Sequence, residues 1–195
     1  MKSKGTSKFI LINAFLVFVF LLALYFDKQI IALMSIIRTG ILTDFFMGIT
    51  FVSSILIVFI FLTLLFVKEN KRRWIVPLWA TLILDIIIGF LLKIFIQRQR
   101  PFEIGLIEII DGLAKANYNT WNFAFPSFQA LMVFSAVPFL SKEFPKFKYV
   151  WIVFACLVAL SRVYLGVHFL SDVIAGALIG YIIGYFIVKK VERKW

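Results

Sequence analysis

The stretch WIVPLWATLILDIIIGFLLKIFIQRQRP, residues 74–101, decides what kind of molecule this chain is. Residues 74–96 carry only Asp85 and Lys93 as charges and are otherwise almost wholly apolar. A bilayer core takes about 20 mostly apolar residues per helix, so the run reads as a membrane span. Lys93 and Arg100 follow each other by two helical turns, which predicts both cations on one face near the helix end. Pro101 is expected to stop that helix. Taken alone, the two cations read equally well as side chains snorkelling to the interface or as a polar group put to work.

The whole chain has the same character. Its 195 residues are 63% hydrophobic with a mean hydropathy of +1.00, and 24 of them are Phe. That excess over a soluble domain places it among membrane proteins. The net charge of +11 punctuates the apolar runs and forms no single patch, so a nucleic-acid partner is not expected. Cys156 is the one cysteine, which excludes an internal disulfide or a CxxC metal site, and it reads as small core filler.

The apolar runs predict an all-α integral membrane bundle of six transmembrane helices, over about 9–26, 50–67, 74–96, 126–141, 149–166 and 169–188. The first follows Lys2, Lys4 and Lys8 but ends in ALYFDK without a small-residue cleavage site, and reads as a retained anchor. Residues 29–49 carry a weaker pattern around Arg38 and Asp44 and read as interfacial. With the N-terminus inside, residues 1–8, 68–73, 142–148 and 189–195 hold 14 of the 21 Lys and Arg. Both termini are therefore expected in the cytoplasm of a multi-pass cell-membrane protein. Trp74, Trp121, Trp151 and Trp195 fall at span ends, as interfacial anchors do. No linker or low-complexity tract divides the chain, so residues 1–195 read as one domain. Its one long loop, 97–125, lies outside, with IGLIEIIDGL a candidate amphipathic helix.

Two more polar clusters fall on that outer side. In FPSFQALM, residues 125–132, Pro126 suits the first turn of a helix. The backbone N–H groups of Ser127 and Phe128 are then expected to be free, at the positive end of the helix dipole, as an anion site. In SRVYLGVHFLSD, residues 161–172, the chain's one histidine, His168, precedes Asp172 by four residues. On a helix start the two stack on one face. The carboxylate can then hold one imidazole nitrogen and leave the other free to attack or take a proton. Arg162 adds a fork of donors matched to phosphate oxygens. Lys93, Arg100 and Arg162 to offset charge, Ser127 to donate and His168 to attack together suit a phosphoryl group. No Asp/Glu/His set has metal-ligand spacing, so chemistry without a metal or other cofactor is expected.

These blocks resemble the signature of the type 2 phosphatidic acid phosphatase superfamily of integral membrane lipid phosphatases: K-x6-R-P, then P-S-G-H, then S-R-x5-H-x3-D. Lys93, Arg100 and Pro101 complete the first block, and Ser161, Arg162, His168 and Asp172 complete the third. The resemblance spans about residues 50–188 and implies six helices with an extracytoplasmic site. It implies that His168 becomes phosphohistidine, oriented by Asp172, with Lys93, Arg100, Arg162 and Ser127 binding the phosphate. The middle block departs, reading Pro126, Ser127, Phe128, Gln129. Where the family places a histidine resembling a general acid, Gln129 has no proton to give near neutral pH.

That departure points to a substrate whose leaving group needs little protonation. A lipid diphosphate leaves as a phosphate monoester, whereas a lipid monophosphate must expel an alkoxide. The expected function is hydrolysis of a lipid phosphate, foremost a polyisoprenyl diphosphate to the monophosphate, and the compact chain is similar to the undecaprenyl-diphosphatase branch. A phosphotransferase, or a weakly catalytic lipid-phosphate binder, stands as the alternative. A transporter fits less well, because the polar residues gather at one face and not at the midplane. Asp85 reads first as a partner for a cation or polar group inside the bundle and second as support for Lys93. Gly176, Gly180 and Gly184 form a small-residue stripe for close helix packing.

Overall fold

The computed structural model describes residues 3–110, 113 and 123–193, the side chains of 3–10, 12 and 13 excepted. Among these residues the structure is helical without strands. The helices are α1 (Ser3–Ile37), α2 (Gly40–Val52), α3 (Ile55–Lys68), α4 (Ile75–Ile96), α5 (Phe128–Glu143), α6 (Lys148–Tyr164) and α7 (Leu170–Glu192). Short 3-10 turns at Arg72–Trp74 and Pro145–Phe147 lead into α4 and α6.

Four segments are long and apolar enough to cross a bilayer: Ala14–Ile37, Arg72–Ile96, Pro145–Tyr164 and Leu170–Glu192. The α2–α3 pair, bent by 57° at Ser53–Ser54, makes a fifth if it crosses as one unit. The sixth expected span is α5, whose 16 residues with Pro138 inside fall short of the roughly 20 that a lipid-facing span needs. Its position explains the shortness. Every residue from Ala130 to Leu140 is buried except Phe134, and α3, α4, α6 and α7 pack around it. A helix shielded on all sides needs neither lipid-facing length nor a lipid-facing side.

The tightest packing is between α5 and α7. A Cβ at Gly176, Gly180 or Gly184 would run into the carbonyl oxygens of Ser127, Leu131 and Ser135 respectively. The stripe thus brings two backbones together, as the sequence suggests. Beside it Ser135 donates to Asp85 Oδ2 at 2.5 Å, so the mid-span aspartate pairs with a polar group of α5. Around this centre Phe59, Leu62, Phe66, Trp74, Leu78, Leu131 and Phe139 form the largest core cluster. Large apolar side chains including Phe15, Phe61, Phe95 and Phe186 face outward, the inverted surface of a chain dissolved in lipid.

Several expectations need correction. Residues 29–49 are not one interfacial segment, since α1 runs through to Ile37 and α2 starts afresh from Thr39, whose side chain caps Leu42. The helix continues past Asp27 because Arg98 neutralises that carboxylate inside the bundle. Trp74 is no interfacial anchor: it is buried with its ring edge-on to Phe139. Cys156 faces outward from α6 instead of filling the core. Residues 104–110 of the candidate amphipathic helix are turn and coil, and much of its remainder, with Trp121 and Trp195, lies outside the described residues.

Candidate active site

The ends of α2, α4 and α6 and the starts of α3, α5 and α7 converge on a cavity of about 350 Å³ lined by Thr50, Ser54, Ile55, Lys93, Arg100, Leu113, Phe128, Gln129, Arg162 and His168. Six of the eight residues that the sequence singles out are in this lining, and Asp172 and Ser127 lie behind it. Among the described residues the lining contains three cations and no carboxylate. Guanidinium and ammonium groups gathered in one lining suit the oxygens of an anion.

Each cation arrives by a different route. Lys93 is in the last turn of α4, donating to the Phe123 carbonyl, with its ammonium 5.0 Å from the centre of the Phe128 ring. Arg100 does not share a helix face with it. Gln97 adopts a left-handed conformation (φ 49°) that ends α4 four residues before Pro101, and Arg100 reaches the cavity from the loop. Arg162 comes from the last turn of α6, and its Nη1 donates to Thr50 Oγ1 at 3.2 Å.

His168 is just ahead of α7, whose N-cap is Phe169, so it does not stack on a helix face with Asp172 as expected. Asp172 is the third residue of α7, and its Oδ2 accepts the Phe169 N–H at 2.8 Å. That same oxygen lies 3.8 Å from His168 Nδ1, beyond hydrogen-bond length. On the cavity side, Arg100 Nη1 stands 3.3 Å from His168 Nε2. A guanidinium can only donate, so Nε2 presents its lone pair and the ring proton belongs on Nδ1, toward Asp172. Burial first, and then the charges of Arg100, Lys93 and Arg162, hold the His168 pKa well below the usual 6.5. The imidazole is therefore neutral and nucleophilic at neutral pH.

The FPSFQ segment differs from its sequence reading. Pro126 precedes α5 and is not in its first turn; Ser127 is the N-cap. The Ser127 N–H is not free either, since it donates to the Asp172 carbonyl at 3.0 Å. Its hydroxyl is buried away from the cavity lining and caps nothing. Phe128 opens α5 at the cavity wall, and its ring fits a notch that any side chain at Gly89 would fill. Gln129 donates its amide to Thr50 O at 2.9 Å and to Ser53 Oγ at 2.5 Å. It therefore fastens the end of α2 to α5 at the cavity.

Sequence reasoning missed Thr50, Ser53 and, above all, Arg98. Arg98 Nη1 donates to Asp172 Oδ1 at 2.7 Å and Nη2 to Asp27 Oδ2 at 2.7 Å. The signal was present in the sequence as a second arginine two residues before Arg100 and a carboxylate at the end of the first apolar run.

A model of the PAP2 superfamily matches residues 74–195. The chain is 30% identical over 139 residues to a lipid A 4'-phosphatase of Porphyromonas gingivalis, covering 66% of this chain and 57% of the relative. It is also 30% identical to an undecaprenyl-diphosphatase of Sulfolobus acidocaldarius, covering 67% of this chain and 65% of the relative. The matched region thus spans somewhat over half of these relatives' length. Among solved structures, a transmembrane PAP2-type phosphatidylglycerolphosphate phosphatase from Bacillus subtilis superposes with a TM-score of 0.69 and 25% identity, over 93% of this chain and 96% of that one. The LpxE structure from Aquifex aeolicus gives a TM-score of 0.66 and 28% identity, over 84% and 94% respectively.

Proposed function

The chain belongs to the PAP2 superfamily, and on that footing we propose that it is a membrane lipid phosphatase whose preferred substrate is a lipid diphosphate, foremost a polyisoprenyl one. The observation that carries the reading is the lone pair of a buried, neutral His168 Nε2 facing a cavity lined by Lys93, Arg100 and Arg162. Nε2 attacks the terminal phosphorus, the bond to the bridging oxygen breaks, and its electron pair leaves with the lipid monophosphate. Water then adds to the phosphorus of phosphohistidine, the N–P bond breaks back to Nε2, and the water's protons leave with inorganic phosphate. The three cations offset the equatorial charge throughout. Asp172 steadies the imidazole as it becomes cationic, closing on Nδ1 when substrate binds; such contacts are commonly long without substrate.

A second cavity of about 260 Å³, lined by apolar residues including Val52, Ile57, Phe61, Val137, Trp151 and Phe154, supports a lipid tail. It lies between α3, α5 and α6, and its Val52 and Ile57 flank Thr50, Ser54 and Ile55 of the first cavity in sequence. Gln129 supports the diphosphate. Its amide is committed to Thr50 and Ser53, and it has no proton to give in place of the family's acid. The reading also takes the protein to cross the membrane six times, with cytoplasmic termini and the site on the outer face.

The test is phosphate release from a panel of lipid mono- and diphosphates, by the wild type and by Gln129→His. Diphosphates should be preferred by the wild type, and Gln129→His should accelerate monophosphates selectively, by up to the roughly 10²–10⁴-fold that general acids contribute. Faster turnover of monophosphates by the wild type would refute the assignment.

A further inference from the structure

Asp27 is buried in α1, inside a segment apolar enough to cross the membrane and outside residues 74–195 of the family match. A carboxylate so placed is expensive and marks function unless packing alone explains it. Both of its oxygens are engaged. Oδ2 accepts from Arg98 Nη2 at 2.7 Å and from the Ser171 hydroxyl, and Oδ1 accepts the Ser171 backbone N–H at 3.0 Å. Arg98 is fixed in turn by Ser171 Oγ at 2.6 Å, by Asp172 Oδ1 at 2.7 Å and by the Phe169 ring, 4.0 Å from its guanidinium. Beyond α1 and Arg98 itself, each side chain in this chain of contacts belongs to the single turn that follows His168.

We propose that Asp27 is a positioning residue for the nucleophile: by anchoring Arg98 and Ser171 it fixes the Asp172 carboxylate, so that Oδ2 faces His168 Nδ1. Asp172 is then gripped at both oxygens, Oδ1 by Arg98 and Oδ2 by the Phe169 N–H. Without Asp27, Arg98 keeps one carboxylate in place of two, and the first turn of α7 loses its cap from α1. The carboxylate facing Nδ1 is then no longer fixed, and Arg100 is left to hold the lone pair of Nε2 toward the cavity. The inference rests on the phosphoryl-transfer reading of the site and adds α1 to it.

The experiment compares wild type, Asp27→Ala, Asp27→Asn, Arg98→Ala and the double variant Asp27→Ala/Arg98→Ala as full-length protein in detergent. Asp27→Asn keeps the volume and an acceptor for Ser171 but loses the charge, so it replaces the alanine variant if that fails to fold. Turnover of a polyprenyl diphosphate is measured together with inhibition by inorganic phosphate. Isotope-labelled histidine reports the tautomer directly by NMR, because His168 is the chain's one histidine. Loss of an outer carboxylate partner of a metal-bound histidine typically costs about 10–100-fold; a fall of that order in kcat is expected here, with KM and phosphate inhibition little changed. His168 should pass from one tautomer to a mixture, and the double variant should be no worse than Arg98→Ala alone. The inference is overturned if both Asp27 variants keep wild-type kcat and a single tautomer. It is equally overturned if kcat, KM and thermal stability all worsen while the tautomer is unchanged, which is a packing role only. A wild type that hydrolysed no lipid phosphate would sink the proposed function, and the tautomer would still decide the role of Asp27.

Discussion

Arg100 holds His168 from the cavity side: the Nη1 that stands 3.3 Å from Nε2 also donates to the Val167 carbonyl at 2.7 Å. One guanidinium therefore fixes the backbone just before the nucleophile and, with Asp172 behind the ring, sets its tautomer. An ammonium offers no such fork, so Arg100→Lys is not conservative here. The expected loss is about 10²–10³-fold in kcat, the range for removing one preorganised donor from a reacting centre. Steady-state kinetics on a lipid diphosphate checks this, with retained kcat as the contrary result.

The neutral His168 has a pH signature. Its pKa lies well below 6.5 in the folded protein through burial and the neighbouring Arg100, Lys93 and Arg162, with Asp172 the carboxylate facing it. The unfolded chain, with a pKa near 6.5, binds more protons below that pH than the folded one. Stability is therefore expected to fall as pH drops below about 6.5, by at most about 1.4 kcal/mol per pH unit from this group. Titration of the single histidine by NMR should show no midpoint near 6.5 in the folded protein. A midpoint there would mean that the imidazole is not held neutral.

Gln129 makes a prediction apart from catalysis. Gln129→Ala removes two hydrogen bonds at the α2–α3 bend and leaves Ser53 Oγ and the Thr50 carbonyl bonded to each other. Interhelical hydrogen bonds in membrane proteins average roughly 0.6 kcal/mol with a maximum near 1.7, so a loss within that range is expected. Thermal unfolding in detergent measures it, and an unchanged midpoint would show that the bend is held by other contacts.

The α5–α7 contact predicts a larger cost. Gly180→Ala drives a methyl into the Leu131 carbonyl, where backbone cannot yield as a side chain would. Overpacking of this kind costs typically about 1–3 kcal/mol. Gly48→Ala, on α2 with open space at its Cβ position, is the matched control and should leave the unfolding midpoint within a degree or so of wild type.

Much of this was legible in the residues, because hydropathy and motif spacing are local properties. The apolar runs located the long helices, and the Lys93–Arg100–Pro101 and Ser161–Asp172 blocks supplied most of the cavity lining. What spacing could not supply was helix phase at chain breaks. The left-handed Gln97 and the N-cap at Phe169 place Arg100 and His168 off the helices that periodicity assigned to them. Nor could spacing show partners distant in sequence. Asp27 and Asp172 are 145 positions apart and meet on Arg98, so neither apolar run announces the other. Pro126 and Ser127 failed as an open anion site for a related reason: Asp172 takes the Ser127 N–H from across the bundle.

The central claim is that His168 carries the phosphoryl group, and rapid quenching of the protein with a radiolabelled lipid diphosphate tests it most directly. The label should be retained by the wild-type chain, stable to base and lost in acid, and be absent from His168→Ala. With one histidine in the sequence, the residue bearing such a label is unambiguous. Hydrolysis of the lipid with equal labelling of wild type and His168→Ala would contradict the account.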